Sequence, residues 1–383
     1  MSRPLRVAHV APPLERVPPE GYGGTERVIY ELVVDLDRRG HSVTTFASGD
    51  SKIPGEHVVT VESALRPAGY MGDPMPYFLM TMSKVLDRAA DFDVIHSHLE
   101  WSSLLLARVS PLPVVSTFHG RLDLPWAEEM FRDPPRGLVA ISKNQASTHP
   151  EVPWEGVVYN GLTLTDAPFE RRRSEDLCFV GRVAPEKGIV EAIEIALAAG
   201  RRLRIAAKIA PIGPEREYND AVFQPALKAA GASVEFLGEL TGPDRDLLFA
   251  DSFASLMPGS WPEPFGLVAI ESLACGTPVV ARRIGALPEI IRDGVDGFFG
   301  DDVIGMAYKV DRVADLDRAA IRASVLERFS ATRMTDRYLD VYRKMLEIPA
   351  TDSDADAASP DLVPAERLEA KRVDRQEALV SKR

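Results

Sequence analysis

The stretch Gly259-Ser-Trp-Pro-Glu263-Pro-Phe-Gly-Leu-Val-Ala-Ile-Glu271-Ser-Leu-Ala-Cys-Gly276-Thr-Pro278-Val-Val decides how this chain is read. Glu263 stands at a loop–helix junction, and Glu271 follows eight residues later inside a helix that starts near Phe265. Gly276 and Pro278 stop that helix, because glycine takes the left-handed cap and proline cannot extend the hydrogen-bond ladder. Pro278 to Ala281 then reads as a short buried strand. The free amides that open a helix attract an anion such as a diphosphate. A carboxylate on each side of that anion accepts hydrogen bonds from hydroxyl groups. Hydroxyl, diphosphate, hydroxyl is the pattern of a nucleotide sugar, with a hexose at one end and a ribose at the other. Two glutamates alone carry an equal and blander reading: one favours the helix dipole and the other is solvated. The flanking Trp261-Pro-Glu-Pro-Phe-Gly266 is an unusual way to open an ordinary helix.

Outward from this motif, short apolar runs alternate with helical patterns, which predicts parallel sheets covered by helices. Strands are expected at Leu5 to Val10, Ser42 to Ala47, Asp93 to His96, Val114 to Phe118 and Leu138 to Ile141, with a helix over Thr25 to Arg39. After a polar linker over Asp166 to Asp176 the alternation restarts, with strands at Leu177 to Val180, Leu203 to Ala207, Val234 to Leu237 and Ala254 to Met257. The chain of 383 residues suits two domains of ordinary size. We therefore expect an α/β protein of two Rossmann-like domains, residues 1–165 and 174–329, facing across a cleft at the carboxyl ends of their strands. A helix over about 330–348 is placed to cross back onto the first domain, and 349–383 reads as a disordered, charged tail.

A formal net charge of −12 argues against nucleic acid and against strong attraction to anionic lipid, so neither is expected as a partner. Two cysteines, Cys178 and Cys275, sit in apolar contexts and read as free buried thiols. No secretory h-region and no spanning apolar run is evident, which makes a cytoplasmic protein the expectation. Tyr77-Phe-Leu-Met-Thr-Met reads as a core stripe first and a membrane-touching helix second.

Three further segments carry chemistry. Arg182 and Lys187, in Gly181-Arg-Val-Ala-Pro-Glu-Lys-Gly188, place a planar fork and a compact charge beside a Gly-bearing turn, which suits a diphosphate. Taken alone, the pair reads more often as two solvated surface cations. Gly21-Tyr-Gly23-Gly24-Thr-Glu26 lets an anion or sugar approach the backbone, or is simply a flexible turn. Glu26 stands where the third glycine of a dinucleotide fingerprint belongs, which weakens a nicotinamide reading. His119 ends one strand and His96-Ser-His98 ends another; histidines at such positions are more often structural. Asp35-Leu-Asp37, Asp91-Phe-Asp93 and Asp315-Leu-Asp317 match a metal-binding Asp-x-Asp pattern by chance and read as solvated or capping.

The segment from Glu263 to Glu271 resembles the Glu-x7-Glu motif of retaining GT-B glycosyltransferases. Its surroundings, together with Gly181-Arg and Glu186-Lys-Gly188, resemble glycosyltransferase family four in particular, over roughly Arg6 to Leu346. The resemblance implies a hexosyltransferase with a nucleoside diphosphate sugar donor and an acceptor that is not specified. UDP-glucose is expected first and GDP-mannose second. Donor contacts are implied for Gly23, Gly24, Arg182, Lys187, Glu263, Pro264, Phe265, Gly266, Leu267 and Glu271. Catalytic roles are implied for His119, Glu263, Arg182 and Lys187, with His98 toward the acceptor. The turn Gly285 to Glu289 resembles one near the donor in family members, with Gly285 bringing backbone against the nucleotide. No cofactor and no metal is expected. A catalytically silent sugar-nucleotide sensor and a nicotinamide oxidoreductase are the alternatives.

Overall fold

A computed structural model describes residues 3–21, 23–169 and 174–347. The charged tail and part of the linker expected above lie outside these residues. The chain divides into two compact units, one running to Leu162 and resuming at Ala331, the other spanning Thr163–Ser330.

The first unit holds a seven-stranded sheet in the order β3-β2-β1-β4-β5-β6-β7, from β1 (Arg6–Val10), β2 (Ser42–Ala47), β3 (Glu56–Val59), β4 (Val94–Ser97), β5 (Val114–Phe118), β6 (Leu138–Ala140) and β7 (Gly156–Val157). The second holds six strands in the order β10-β9-β8-β11-β12-β13, from β8 (Leu177–Arg182), β9 (Leu203–Lys208), β10 (Val234–Gly238), β11 (Ala254–Met257), β12 (Val279–Arg282) and β13 (Gly297–Gly300). Every pairing in both sheets is parallel. Central strands such as β5 are buried along their whole length, which is why they read as continuous apolar runs. All ten strands expected from sequence form. The three that were not expected, β3, β7 and β13, lie at sheet edges. β3 is half-exposed and β7 has two residues, while β13 is a Gly-Phe-Phe-Gly segment with no alternation to read.

Helices cover the sheets by ordinary amphipathic patterning. Gly24–Arg38 buries Val28, Ile29, Leu32, Val33 and Leu36 on one face. Helix Ala331–Met345 belongs to the first unit, where Arg39 ties to Asp336 at 2.5 Å and to the Thr332 carbonyl at 3.0 Å. The apolar stripe at Tyr77 lies on helix Met75–Asp87, which buries Thr81, Met82 and Val85 and exposes Met75, Leu79 and Met80. Among the described residues no helix is long and apolar enough to cross a membrane. Both cysteines are buried and free.

In each sheet the strand order reverses once, between β1 and β4 and between β8 and β11. Loops leaving neighbouring strands in opposite directions open a crevice at such a point, beyond the carboxyl ends. The residues singled out from sequence cluster at these two reversals.

Candidate functional site

In the second unit, Arg182 is the last residue of β8 and Pro258-Gly259 follows β11. The two loops lock together through glycine. A side chain on Gly188 (φ +72°) would meet the Gly259 amide nitrogen at 2.8 Å, and one on Gly259 would meet the Glu186 carbonyl at 2.7 Å. The Trp261 amide then donates to the Glu186 carbonyl at 3.2 Å. This backbone contact carries Lys187 to Glu263, and the two form an ion pair; the ammonium also lies 5.8 Å from the Trp261 ring centre. Arg182 pairs with Glu186 at 3.1 Å and with Glu215. The two cations are thus brought to one site, each balanced by carboxylate.

Glu263 is held from the other side. Its carbonyl accepts the Ala286 amide at 2.8 Å, and a side chain on Gly285 (φ +60°) would strike the Glu263 nitrogen at 2.5 Å. Gly285 therefore brings its backbone against Glu263, a nearer reason for glycine than the nucleotide contact expected from sequence. Gly266 (φ +106°) opens helix Leu267–Ala274 as its N-cap. Phe265 is buried and stacks edge-on with Phe329, ring centres 5.7 Å apart, so its ring is committed to the core. Pro264 and Leu267 are half-buried beside it. Glu271 lies within that helix, 4% exposed, and its carboxylate is 3.3 Å from the Arg245 guanidinium. Arg245 comes from helix Gly242–Asp251, and sequence spacing held no signal for it.

The first unit presents different chemistry. His9 on β1 and His96 on β4 are register partners, and His98 follows β4. All three rings are fully buried. His98 Nε2 lies 3.4 Å from His9 Nδ1, and His98 Nδ1 lies 2.9 Å from His119 Nε2. His96 is engaged at both nitrogens, by the Tyr342 hydroxyl at 2.7 Å and by Thr117 Oγ1 at 2.8 Å; Tyr338 reaches the same Thr117 at 3.0 Å. Both tyrosines come from helix Ala331–Met345. Burial holds the histidines neutral: His9 is lowered to about 3, His119 to about 4, and His96 and His98 well below the usual value.

His9, His96 and His98 offer nitrogens all within 4.8 Å of one another, a spacing that can hold a metal ion. Both nitrogens of His96 and of His98 are committed to hydrogen bonds, and His9 Nε2 is the one nitrogen of the three rings without a partner. A metal would therefore have to displace a formed network. The same commitments turn His98 toward His119, and the His98 ring is fully buried.

Two carboxyls join this unit. Glu26, in the first turn of helix Gly24–Arg38 behind Gly23 and Gly24, is 5% exposed, and burial raises it to about 7, with the Glu15 charge adding to the shift. Glu100, two residues past His98, is raised to about 7 by burial, partly offset by the His119 and Gly120 amides it accepts. His9 and Glu100 were not found from sequence. His9 is legible only once the β1–β4 register is known, and Glu100 sits in a loop with no motif. Of the Asp-x-Asp matches, Asp317 caps helix Arg318–Arg328, Asp93 binds the Arg6 amide at 2.8 Å, and Asp35 is buried and paired with Arg38 and Arg39 rather than solvated.

Two doubly wound units with these sites define a GT-B glycosyltransferase, and comparison with known proteins agrees. The family Glycosyltransferase Family 4 matches residues 22–162, and Glycosyl transferases group 1 matches residues 165–316. D-inositol 3-phosphate glycosyltransferase of Mycobacterium avium is 30% identical over 90% of this chain and 95% of its own length. The crystal structure of AviGT4, a glycosyltransferase involved in avilamycin A biosynthesis, superposes with a TM-score of 0.67 at 27% identity, covering 90% of this chain and 98% of that one. Anabaena HepE in complex with UDP-glucose has the same fold, with a TM-score of 0.67 at 17% identity, covering 89% of this chain and all of that one (100%). The chain belongs to family 4 of the glycosyltransferases, enzymes that move a sugar from a nucleotide sugar to an acceptor.

Proposed function

We propose that the protein is a retaining hexosyltransferase that uses a nucleoside diphosphate hexose, UDP-glucose first and GDP-mannose second, without a metal. The observation that carries this reading is the convergence of Arg182, Lys187 and Glu263 at the β8–β11 reversal, with Glu271 one helix further on. Lys187 and Arg182 stabilise the diphosphate as the anomeric bond lengthens, which is where negative charge develops. The carboxylates that balance these cations, Glu263, Glu186 and Glu215, give way to the diphosphate oxygens. That exchange frees Glu263 to accept from the hexose hydroxyls, while Glu271, oriented by Arg245, accepts from the ribose.

His119, held neutral, serves the sugar end as a hydrogen-bonding group rather than a cation. Front-face attack, with the leaving phosphate taking the acceptor proton, suits a site in which Arg182 and Lys187 stabilise that phosphate once their carboxylate partners give way. The Anabaena neighbour, alike in fold, is a complex with UDP-glucose, so the fold accommodates this donor.

The test is a panel of UDP- and GDP-sugars offered in the presence of a metal chelator, with binding and nucleoside diphosphate release as readouts. Selective binding and slow hydrolysis of one donor are expected. Binding without any turnover would favour the silent sensor, and activity that appears only on adding a divalent cation would overturn the metal-free mechanism.

A further inference from the structure

Glu100 is one of two described non-glycine residues with positive φ, at 52°, and the other, Glu347, lies at the last described position. An L-residue takes that conformation only when its surroundings impose it, and such strain clusters where geometry matters for function. Here the flanks impose it. Leu99 is buried in the core beside β4, and Trp101 packs on Phe118, with ring centres 5.3 Å apart.

The backbone turn aims the Glu100 side chain at the loop that follows β5. Its Oε1 accepts from the His119 amide at 2.9 Å and from the Gly120 amide at 3.2 Å, and Oε2 lies 3.4 Å from the latter. The carbonyls of the same turn are held by Gln145, whose Nε2 donates to Phe118 O at 3.1 Å and Gly120 O at 2.7 Å. The ring of His119 is held by His98. The turn is thus fixed at its amides, its carbonyls and its side chain.

We propose that Glu100 is the positioning residue for His119: by accepting the main-chain amides of His119 and Gly120, its carboxyl sets where the imidazole stands during sugar transfer. The proposal rests on the reading that His119 acts at the sugar end of the site. A half-buried carboxyl that contributes nothing beyond accepting two amide hydrogen bonds would be replaceable by any neutral acceptor or by none. A positioning group is replaceable only by a side chain that reaches the same amides.

The test uses the full chain and four variants: Glu100→Gly, Glu100→Gln, His119→Ala and the double variant Glu100→Gly/His119→Ala. Glycine is comfortable at this φ, so Glu100→Gly removes the carboxyl while relieving the backbone. Turnover is read as UDP release from UDP-glucose. Glu100→Gly is expected to lower turnover at least tenfold with the donor KM within twofold, and Glu100→Gln to recover it to within threefold, since its amide oxygen still accepts. The double variant should be no slower than His119→Ala within a factor of two, because both changes remove one function.

Wild-type turnover in Glu100→Gly, or a double variant that shows the product of the two single losses, overturns the proposal. Hydrogen exchange at the His119 and Gly120 amides needs no donor and separates this proposal from the function proposed above. Exchange at least tenfold faster in Glu100→Gly is expected, and unchanged exchange overturns the positioning role whatever the activity. Wild-type turnover in His119→Ala with faster exchange in Glu100→Gly would overturn the role of His119, and with it any effect of Glu100 on transfer. Should Glu100→Gly fail to melt cooperatively, Glu100→Asn gives the same readings, being tolerant of positive φ and too short to reach the amides.

Discussion

The two crevices are built on the same strand reversal and filled with opposite electrostatics. In the second unit the groups are charged and partly open to water: Arg182, Lys187, Glu186, Glu215 and Glu263 neutralise one another in pairs. In the first, the histidines are held neutral, His9, His96 and His98 fully buried and His119 half-buried, the Glu26 and Glu100 carboxyls are raised to about 7, and the histidines are joined by hydrogen bonds instead of ion pairs. The proposed function uses this difference for the two ends of a nucleotide sugar. A diphosphate is recognised by cations whose counterions can be exchanged, at little cost near water. A neutral hexose is recognised by fixed donors and acceptors, and a buried network fixes them because every unmade hydrogen bond there is expensive.

Four experiments test this contrast. The largest effect is expected from Lys187→Ala, which removes charge stabilisation at the leaving group; kcat should fall by about 10²–10³-fold, in line with loss of one transition-state donor. A fall of less than tenfold in steady-state assays would move the diphosphate away from this loop. Next, His119→Ala should lower kcat by about 10²-fold while donor affinity stays within twofold, since the diphosphate and ribose contacts assigned above lie in the second unit. A matching loss of affinity by calorimetry would erase the division of labour.

Glu271→Ala should weaken nucleoside diphosphate binding by about 10- to 100-fold, the value of hydrogen bonds to a charged group. It also leaves Arg245 without one of its carboxylates, so the melting temperature should drop as well. Unchanged affinity would sink the ribose contact.

The smallest effect concerns pH. Histidines at 6.5 when unfolded and far lower when folded make the unfolded chain bind more protons below about 6.5, so stability falls as pH drops through that range. Glu26 and Glu100, raised from 4.5 to about 7, act in the opposite sense and favour the folded state at lower pH. Four histidines outweigh two carboxyls near pH 5.5, and the two effects nearly cancel at pH 7. Melting of the first unit should therefore be flat near neutrality and decline by a few degrees toward pH 5. A rise in stability over that range would show that the carboxyls dominate.

Much of the second crevice was legible from sequence because its parts are local. Gly181-Arg182 ends a strand, Glu186-Lys187-Gly188 turns sharply, and Gly266 to Gly276 brackets a helix; each signal lies within a dozen residues. What was not legible is the contact of Gly188 with Gly259, which depends on β8 and β11 being neighbours, and the packing of Gly285 on Glu263. In the first crevice His96, His98 and His119 are legible as strand ends, but their burial and their contacts with one another do not show in spacing. Arg245 and Glu100 carried no pattern at all.

Two doubly wound sheets, the helices that cover them and the kinds of side chain at the strand ends are all readable in the primary structure, because apolar periodicity and glycine and proline punctuation act over a few residues. Which of those side chains are charged, and which partners they hold, follows from packing between elements far apart in the chain. Register between β1 and β4 gathers the histidines, helix Ala331–Met345 supplies their tyrosines, and a left-handed turn at Glu100 grips the loop of His119. Charge state and orientation depend on how much water and which partners remain after packing, and that is a property of the folded environment rather than of the residue.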